Sequence, residues 1–159
     1  MRAESSLLFR SRGEFTEAVL AVIDASTREL VLADRDFADW PLETQTGCDL
    51  LASFLADEHA RLRLMVADPD WLERRAARFM QLRRRHPAGV ECRRMPASLF
   101  GGESVAIGDR RHLLRRAHGD FFRGRLTFGD PQAAEPMAGR YDAMWDESTP
   151  CLPAHTLGL

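Results

Sequence analysis

The sequence predicts an α/β domain: a mixed, mostly parallel sheet flanked by helices on both faces, in α/β/α layers. Three observations lead there. Helical and strand periods alternate three times from the N-terminus, short strands joined by turns come next, and an amphipathic helix closes the chain. The expected order is αβαβαβ, then a β meander, then α.

In "GEFTEAVLAVIDAS", Phe15, Val19, Val22 and Ile23 fall at i, i+4, i+7 and i+8, one apolar helix face. "RELVLAD" is a short strand ending at Asp34. "DFADWPLETQTG" reads as a loop, broken by Pro41 and Gly47. Its Trp40, at the C-terminal end of a parallel strand, is expected to line a cleft or a subunit contact. "CDLLASFLADEHA" returns to helical spacing. "ARLRLMVADPD" alternates Leu62, Leu64 and Val66 with Arg61, Arg63 and Met65, and stops at Asp68-Pro69.

"DWLERRAARFMQLRRRHP" predicts one helix that buries Leu72, Ala76, Phe79 and Met80 or Leu82. "GVECRRMP" is a strand; "ESVAIGD" and "RHLLRRA" are two more, joined by a tight hairpin turn at Asp109-Arg110; "FFRGRLTFGD" is a fourth. The last helix carries Met137, Tyr141, Met144 and Trp145 on one face. Asp130-Pro131 supplies an N-cap and a first-turn proline, but Pro136 would lose an intrahelical bond, which shifts the expected start to about Glu135. The tail 148–159 reads as extended, with Leu157 and Leu159 as its apolar anchors. One domain, with a core over about 13–147, suits the 159 residues.

Composition narrows the chemistry. The net charge is −2, with 45% hydrophobic and 29% charged residues. No apolar run approaches the roughly 20 residues of a membrane span, and the N-terminal apolar patch is too short for a signal peptide. The expectation is a cytoplasmic protein. All 22 basic residues are arginine, so this chain alone offers no lysine general acid or Schiff base. Cys48, Cys92 and Cys151 form neither a disulfide framework nor a zinc pattern, and the five histidines show no metal-ligand spacing. No metal or cofactor is expected; "FGGES" lacks the glycine spacing of a nucleotide loop.

Charge is unevenly spread. Residues 1–73 carry −8, residues 74–125 carry +10 and residues 126–159 carry −4. The basic stretch is either an anion-binding face or a set of elements paired to acids within the fold. "ERRAARFMQLRRRH" offers only Phe79 as an aromatic, and the core needs it, so the sequence argues against nucleic acid.

From about Phe15 to Trp145 the order of elements resembles one half of a phospholipase-D-like domain. The strands "LVLAD", "ARLRLMVAD" and "GVECRR", the stretch "GGESVAIGD" and the closing "YDAMW" carry the resemblance. That family's motif, His-x-Lys-x4-Asp, lies on a strand ending in a turn. Laid on this chain, its Asp is Asp109, its Lys falls on Ser104 and its His on Gly102. The Gly-Ser-x-Asn that usually follows would fall near Arg116, Ala117 and Gly119, and is missing. Family members attack a phosphodiester with the His, assisted by the Lys and by a second His from the paired half. The resemblance therefore implies a small bacterial branch that keeps the fold and has lost the catalytic pair. It also implies a possible homodimer that brings Gly102, Ser104 and Arg116 of two copies face to face. Some relatives stand beside or are fused to acetyltransferase-type proteins, which gives the alternative of an accessory or regulatory subunit of such an enzyme.

The leading expectation is a non-catalytic domain binding a protein partner or a phosphate-containing anion, with Arg94, Arg115, Arg116 and His118 as the anion-binding candidates. In "RRHLLRRAHGD", His118 and Asp120 are also spaced to act as a general-base pair, so a diverged phosphodiester hydrolase using His118 or His112 is a further alternative. The plainer reading of this stretch is an edge strand protected by charge. The plainer reading of Asp109 is the first turn residue of a hairpin.

Overall fold

The computed structural model describes residues 5–117 and 121–155. His118, Gly119, Asp120 and the tail leucines Leu157 and Leu159 lie outside the described residues. The elements are β1 (Ser5–Phe9), α1 (Arg12–Ala25), β2 (Glu29–Asp34), α2 (Gln45–Leu55), β3 (Arg61–Val66), α3 (Asp70–Arg75), α4 (Ala77–Arg85), β4 (Val90–Arg94), β5 (Ser104–Gly108), β6 (His112–Arg116), β7 (Gly124–Phe128), α5 (Pro131–Asp146) and β8 (Thr149–Pro150). The strands form one open mixed sheet in the order β1-β7-β6-β5-β2-β3-β4-β8.

Helices cover both faces, as expected. Alternation along each strand separates two cores. On the front face, Leu30, Leu32, Leu62, Leu64 and Ala106 pack against α1 to α4 through Phe15, Val19, Leu51, Leu72 and Phe79. On the back face, Ala33, Met65, Val105 and Ile107 pack against α5 through Ala134, Ala138, Tyr141 and Trp145.

"Mostly parallel" needs correction. Only β2–β3 and β3–β4 are parallel; the other five pairings are antiparallel. The meander accounts for much of this, and two strands absent from the expected order, β1 and β8, add the rest. β8 grows from the extended tail and pairs with β4. α5 starts at Pro131, not near Glu135: Asp130 caps it by accepting from the Ala133 N–H, and Pro136 sits inside. A proline there forfeits one backbone bond in the second turn, and the cap and the first-turn proline outweigh that loss. The single helix expected over 70–85 is two, divided at Ala76 (φ −108°, ψ 57°).

Asp109-Arg110 is the tight hairpin turn the sequence predicts, with positive φ at both residues (52° and 54°), as a type I′ turn requires. Arg110 then reaches α5, pairing with Glu135 (3.1 Å) and Asp142 (3.0 Å), which hold its pKa above the ordinary arginine value. Arg93, Arg115 and Arg116 also pair with acids. Part of the basic stretch is thus neutralised inside the fold, Arg93 by its near neighbour Glu91 and Arg110 and Arg116 by acids far off in sequence.

All three cysteines are free. Burial pushes the Cys92 thiol up to about 12, against a smaller opposing pull from Arg83. Cys92 is therefore expected to stay unreactive toward a disulfide reagent at pH 8 in the native protein and to react once urea unfolds it. Thiol titration with and without urea checks this; a rapid native reaction traced to Cys92 by peptide mapping would contradict it.

Candidate functional site

The chemistry expected from the motif belongs at the C-terminal ends of the parallel strands, where β2 finishes and the antiparallel β5 begins. β5 pairs with β2 on one side and β6 on the other, so Ser104 stands directly opposite Arg116, with Asp34 just beyond the Ala33–Val105 pair. Strand alternation turns all three side chains to the front face.

They form a closed relay. Ser104 Oγ donates a short hydrogen bond to Asp34 Oδ1. It accepts from Arg116 Nη2 at 2.9 Å and from Nε at 3.2 Å. Arg116 Nη2 also lies 3.6 Å from Asp34 Oδ1. The three residues are 4%, 0% and 2% exposed, so the pair is held in a low-dielectric interior where an unmatched charge is costly. The guanidinium sits 4.4 Å from the Phe15 ring centroid and 5.1 Å from that of Phe122, two rings that also touch each other, so it makes a cation–π contact with both. Asp34 has a second task. Its Oδ2 accepts from the Phe37 N–H at 2.8 Å, fixing the loop in which buried Phe37 adopts φ 64°.

Two buried donors in this region have no partner among the described residues: Arg116 Nη1 and Trp40 Nε1. Both side chains pack on Phe15. Trp40 itself is 4% exposed, edge-on to Phe15 and Phe37, so it belongs to the front core and lines no cleft. Phe15 of α1 meets Trp40 of the loop after β2 there, Trp40 also meets Phe37 of the same loop, and that burial overrides the loop position.

Gly102, where the motif would place its histidine, has φ 87° and open space where a Cβ would point. A side chain would have room, but only glycine adopts that backbone without strain. Ser104, where the motif would place its lysine, is wholly buried, and the nearby positive charge comes from the neighbouring strand as Arg116. Asp109 occupies the turn at the other end of β5. Its carboxylate accepts from the N–H groups of Thr27 (2.9 Å), Arg28 (2.7 Å) and Glu29 (2.9 Å), and from Thr27 Oγ1 (3.3 Å). Burial raises its pKa, but these hydrogen bonds outweigh burial and the net shift is downward.

The three described anion-binding candidates, Arg94, Arg115 and Arg116, do not come together. Arg115 points to the back face, where Glu103 holds its Nε at 2.8 Å. Glu103, 6% exposed, also accepts from Tyr141 Oη and pairs with Arg140. Burial, and then this bond to Glu103, raises the Tyr141 pKa. Arg94 ends β4, four strand spacings from β6, roughly 19 Å away, and its Nε donates to the Ala67 carbonyl. His118 lies outside the described residues. His112 begins β6, about 13 Å along the strand from Arg116; its Nδ1 accepts from the Gly129 N–H and its ring meets Phe128 edge-on. Among the described residues no group of histidine, cysteine or carboxylate side chains is arranged to hold a metal.

Sequence reasoning missed Asp34, Glu103 and the buried state of Arg116. The one available signal was an acid closing the apolar strand "LVLAD", since an ionised group at the end of a buried strand needs a partner.

The model of a family described as a domain of unknown function, DUF7931, matches residues 11–157. The chain belongs to that family. No curated protein matches the sequence. Among solved structures, this DUF7931 domain is similar to Nuc from Salmonella typhimurium, a phospholipase D family member, with a TM-score of 0.72, 13% identity, and 94% of this chain and 99% of that one covered. NucT from Helicobacter pylori superposes with a TM-score of 0.66 at 10% identity, covering 94% of this chain and 100% of that one. TrmBL2, an archaeal chromatin protein, gives 0.68 at 12% identity; the match covers 92% of this chain and about half (54%) of the chromatin protein. The DUF7931 domain therefore has a phospholipase-D-like fold.

Proposed function

We propose that this DUF7931 domain is a non-catalytic phospholipase-D-like domain, working as a binding module for a protein partner or a phosphate-bearing anion. The observation that carries the reading is the Asp34–Ser104–Arg116 relay. At the motif's lysine position the side chain is a buried serine, and the adjacent cation is spent on a buried carboxylate and two aromatic rings. At the histidine position there is no side chain. A phosphoryl transfer needs a nucleophile and a free cation aimed at the developing charge, and losing each costs about 10²–10⁴ in rate. Neither group is present at the Gly102 and Ser104 positions. A cytoplasmic location is part of the proposal; among the described residues no helix is long and apolar enough to cross a membrane.

Two copies pairing about Gly102 is part of the proposal, since the open space there leaves room for a neighbouring chain. Sedimentation at high concentration is expected to show a dimer, and a strict monomer would remove that part.

The test of the main reading is turnover of bis(p-nitrophenyl) phosphate. No rate above buffer is expected, for the wild type or for His118→Ala and His112→Ala. A wild-type rate abolished by either substitution would replace this reading with the diverged-hydrolase alternative.

A further inference from the structure

The back face of the sheet is only partly covered. α5 lies over β6, β5, β2 and β3, with Leu113 of β6 at the margin of its cluster, while β7 and β1 continue past it without a helix. Pairing register aligns one row of residues across this face: Leu8 opposite Arg125, Arg125 opposite Arg115, Arg115 opposite Val105, and Val105 opposite Ala33. Val105 and Ala33 are sealed under α5. The other three are not. They line a groove of about 1020 Å³ together with Leu113, Arg10 and Arg123.

Two features of this groove serve nothing inside the domain. Arg115 and Arg125 stand directly opposite each other on antiparallel strands, a like-charge pairing that destabilises a sheet. Glu103 compensates Arg115 alone; Arg10, Arg123 and Arg125 are exposed and make no ion pair with any described residue. The acid in the lining, Asp130, is engaged in capping α5. Beside these charges Leu8 is 59% exposed. A sheet floor that sets Leu8 and Leu113 among arginines of β6 and β7, alongside one existing helix, has the shape and charge of a vacant helix position in an α/β/α layer.

We propose that this groove takes an acidic amphipathic helix of a partner protein, laid beside α5 with its apolar face on Leu8 and Leu113 and its carboxylates toward Arg10, Arg123 and Arg125. The inference rests on the binding-module reading and names its partner's chemistry. Charge selects this occupant. A twofold-related copy of the same surface would set arginines against arginines. The chain's own C-terminal segment leaves from β8, at the opposite edge of the sheet. Single-stranded nucleic acid calls for exposed stacking aromatics, and the described lining has none.

The probe is a fluorescein-labelled 18-residue synthetic helix with leucine on one face and glutamate on the other, followed by anisotropy at low salt. Saturable 1:1 binding is expected that weakens as salt rises. Arg125→Glu and Leu8→Ser should each weaken it at least tenfold, and Arg35→Glu, an exposed arginine outside the groove, should leave it unchanged. Leu8 and Arg125 are exposed, and circular dichroism of each variant verifies folding. No saturable binding, or binding equal in the wild type and Arg125→Glu, overturns the inference. So does Arg125-dependent binding of phosphatidylglycerol vesicles or of a single-stranded oligonucleotide when the peptide does not bind. Phosphodiester turnover would end the non-catalytic reading and leave this result standing, so the two failures are distinguishable.

Discussion

Replacing Arg116 by alanine is expected to destabilise the domain by about 3–5 kcal/mol, the scale found when one partner of a buried ion pair is removed. The substitution leaves the Asp34 carboxyl without its cation in a site 4% exposed, with only Ser104 and two backbone N–H groups as hydrogen-bond partners. It also removes the guanidinium from against the Phe15 and Phe122 rings and opens a cavity there. For a chain of this length the loss corresponds to a fall in Tm of roughly 10 °C. Urea denaturation of wild type and variant measures it. Arg116→Met with Asp34→Asn removes both charges while retaining volume and an acceptor for the Phe37 N–H, and should cost less than the sum of the two single changes. A loss under about 1 kcal/mol for Arg116→Ala would mean that the relay is not closed in solution.

Asp109→Ala is the second large effect, about 3 kcal/mol. Three backbone donors where the chain enters β2 lose their charged acceptor, and alanine must take φ near 52°. Asp109→Asn keeps an acceptor oxygen and tolerates the left-handed conformation, so it should cost about a third as much. The pH dependence follows from the direction of the shift. The folded carboxyl titrates below its ordinary value of 3.8. Its stabilisation is thus complete above the unfolded value and is lost as pH falls through the lower folded value. Wild-type stability should fall more steeply than that of Asp109→Ala on acidification below about pH 4. Parallel curves for the two proteins would contradict this role.

Elements whose burial follows local period were legible in the sequence. α1, β2, β3, β5 and the Asp109-Arg110 turn fall where apolar spacing and turn chemistry place them. β1 was not, because "SSLLF" has no alternation to read: four of its five residues are exposed and only Phe9 is buried. Its strand state comes from pairing with β7, a tertiary effect. The break at Ala76 lies among strong helix formers with no proline or glycine, so nothing local announces it. The α5 start was misjudged by weighing one proline above a good cap.

The candidate site was half legible. Ser104 could be read onto a strand, and Asp109 as a turn residue. The relay could not, since Asp34 and Arg116 are 82 residues apart and only the β2–β5–β6 order brings them together. The face of Arg115 was available from alternation, which separates it from Arg116; grouping the two as joint anion ligands ignored that period.

Whether this fold still performs chemistry is tested most directly by looking for the covalent intermediate. Intact-protein mass spectrometry after incubation with bis(p-nitrophenyl) phosphate and a quench in denaturant at mildly alkaline pH, which preserves a phosphorus–nitrogen bond, should return the unmodified mass at every time point. A phosphoryl adduct appearing within the first turnover and mapping to His118 or His112 would contradict the non-catalytic account.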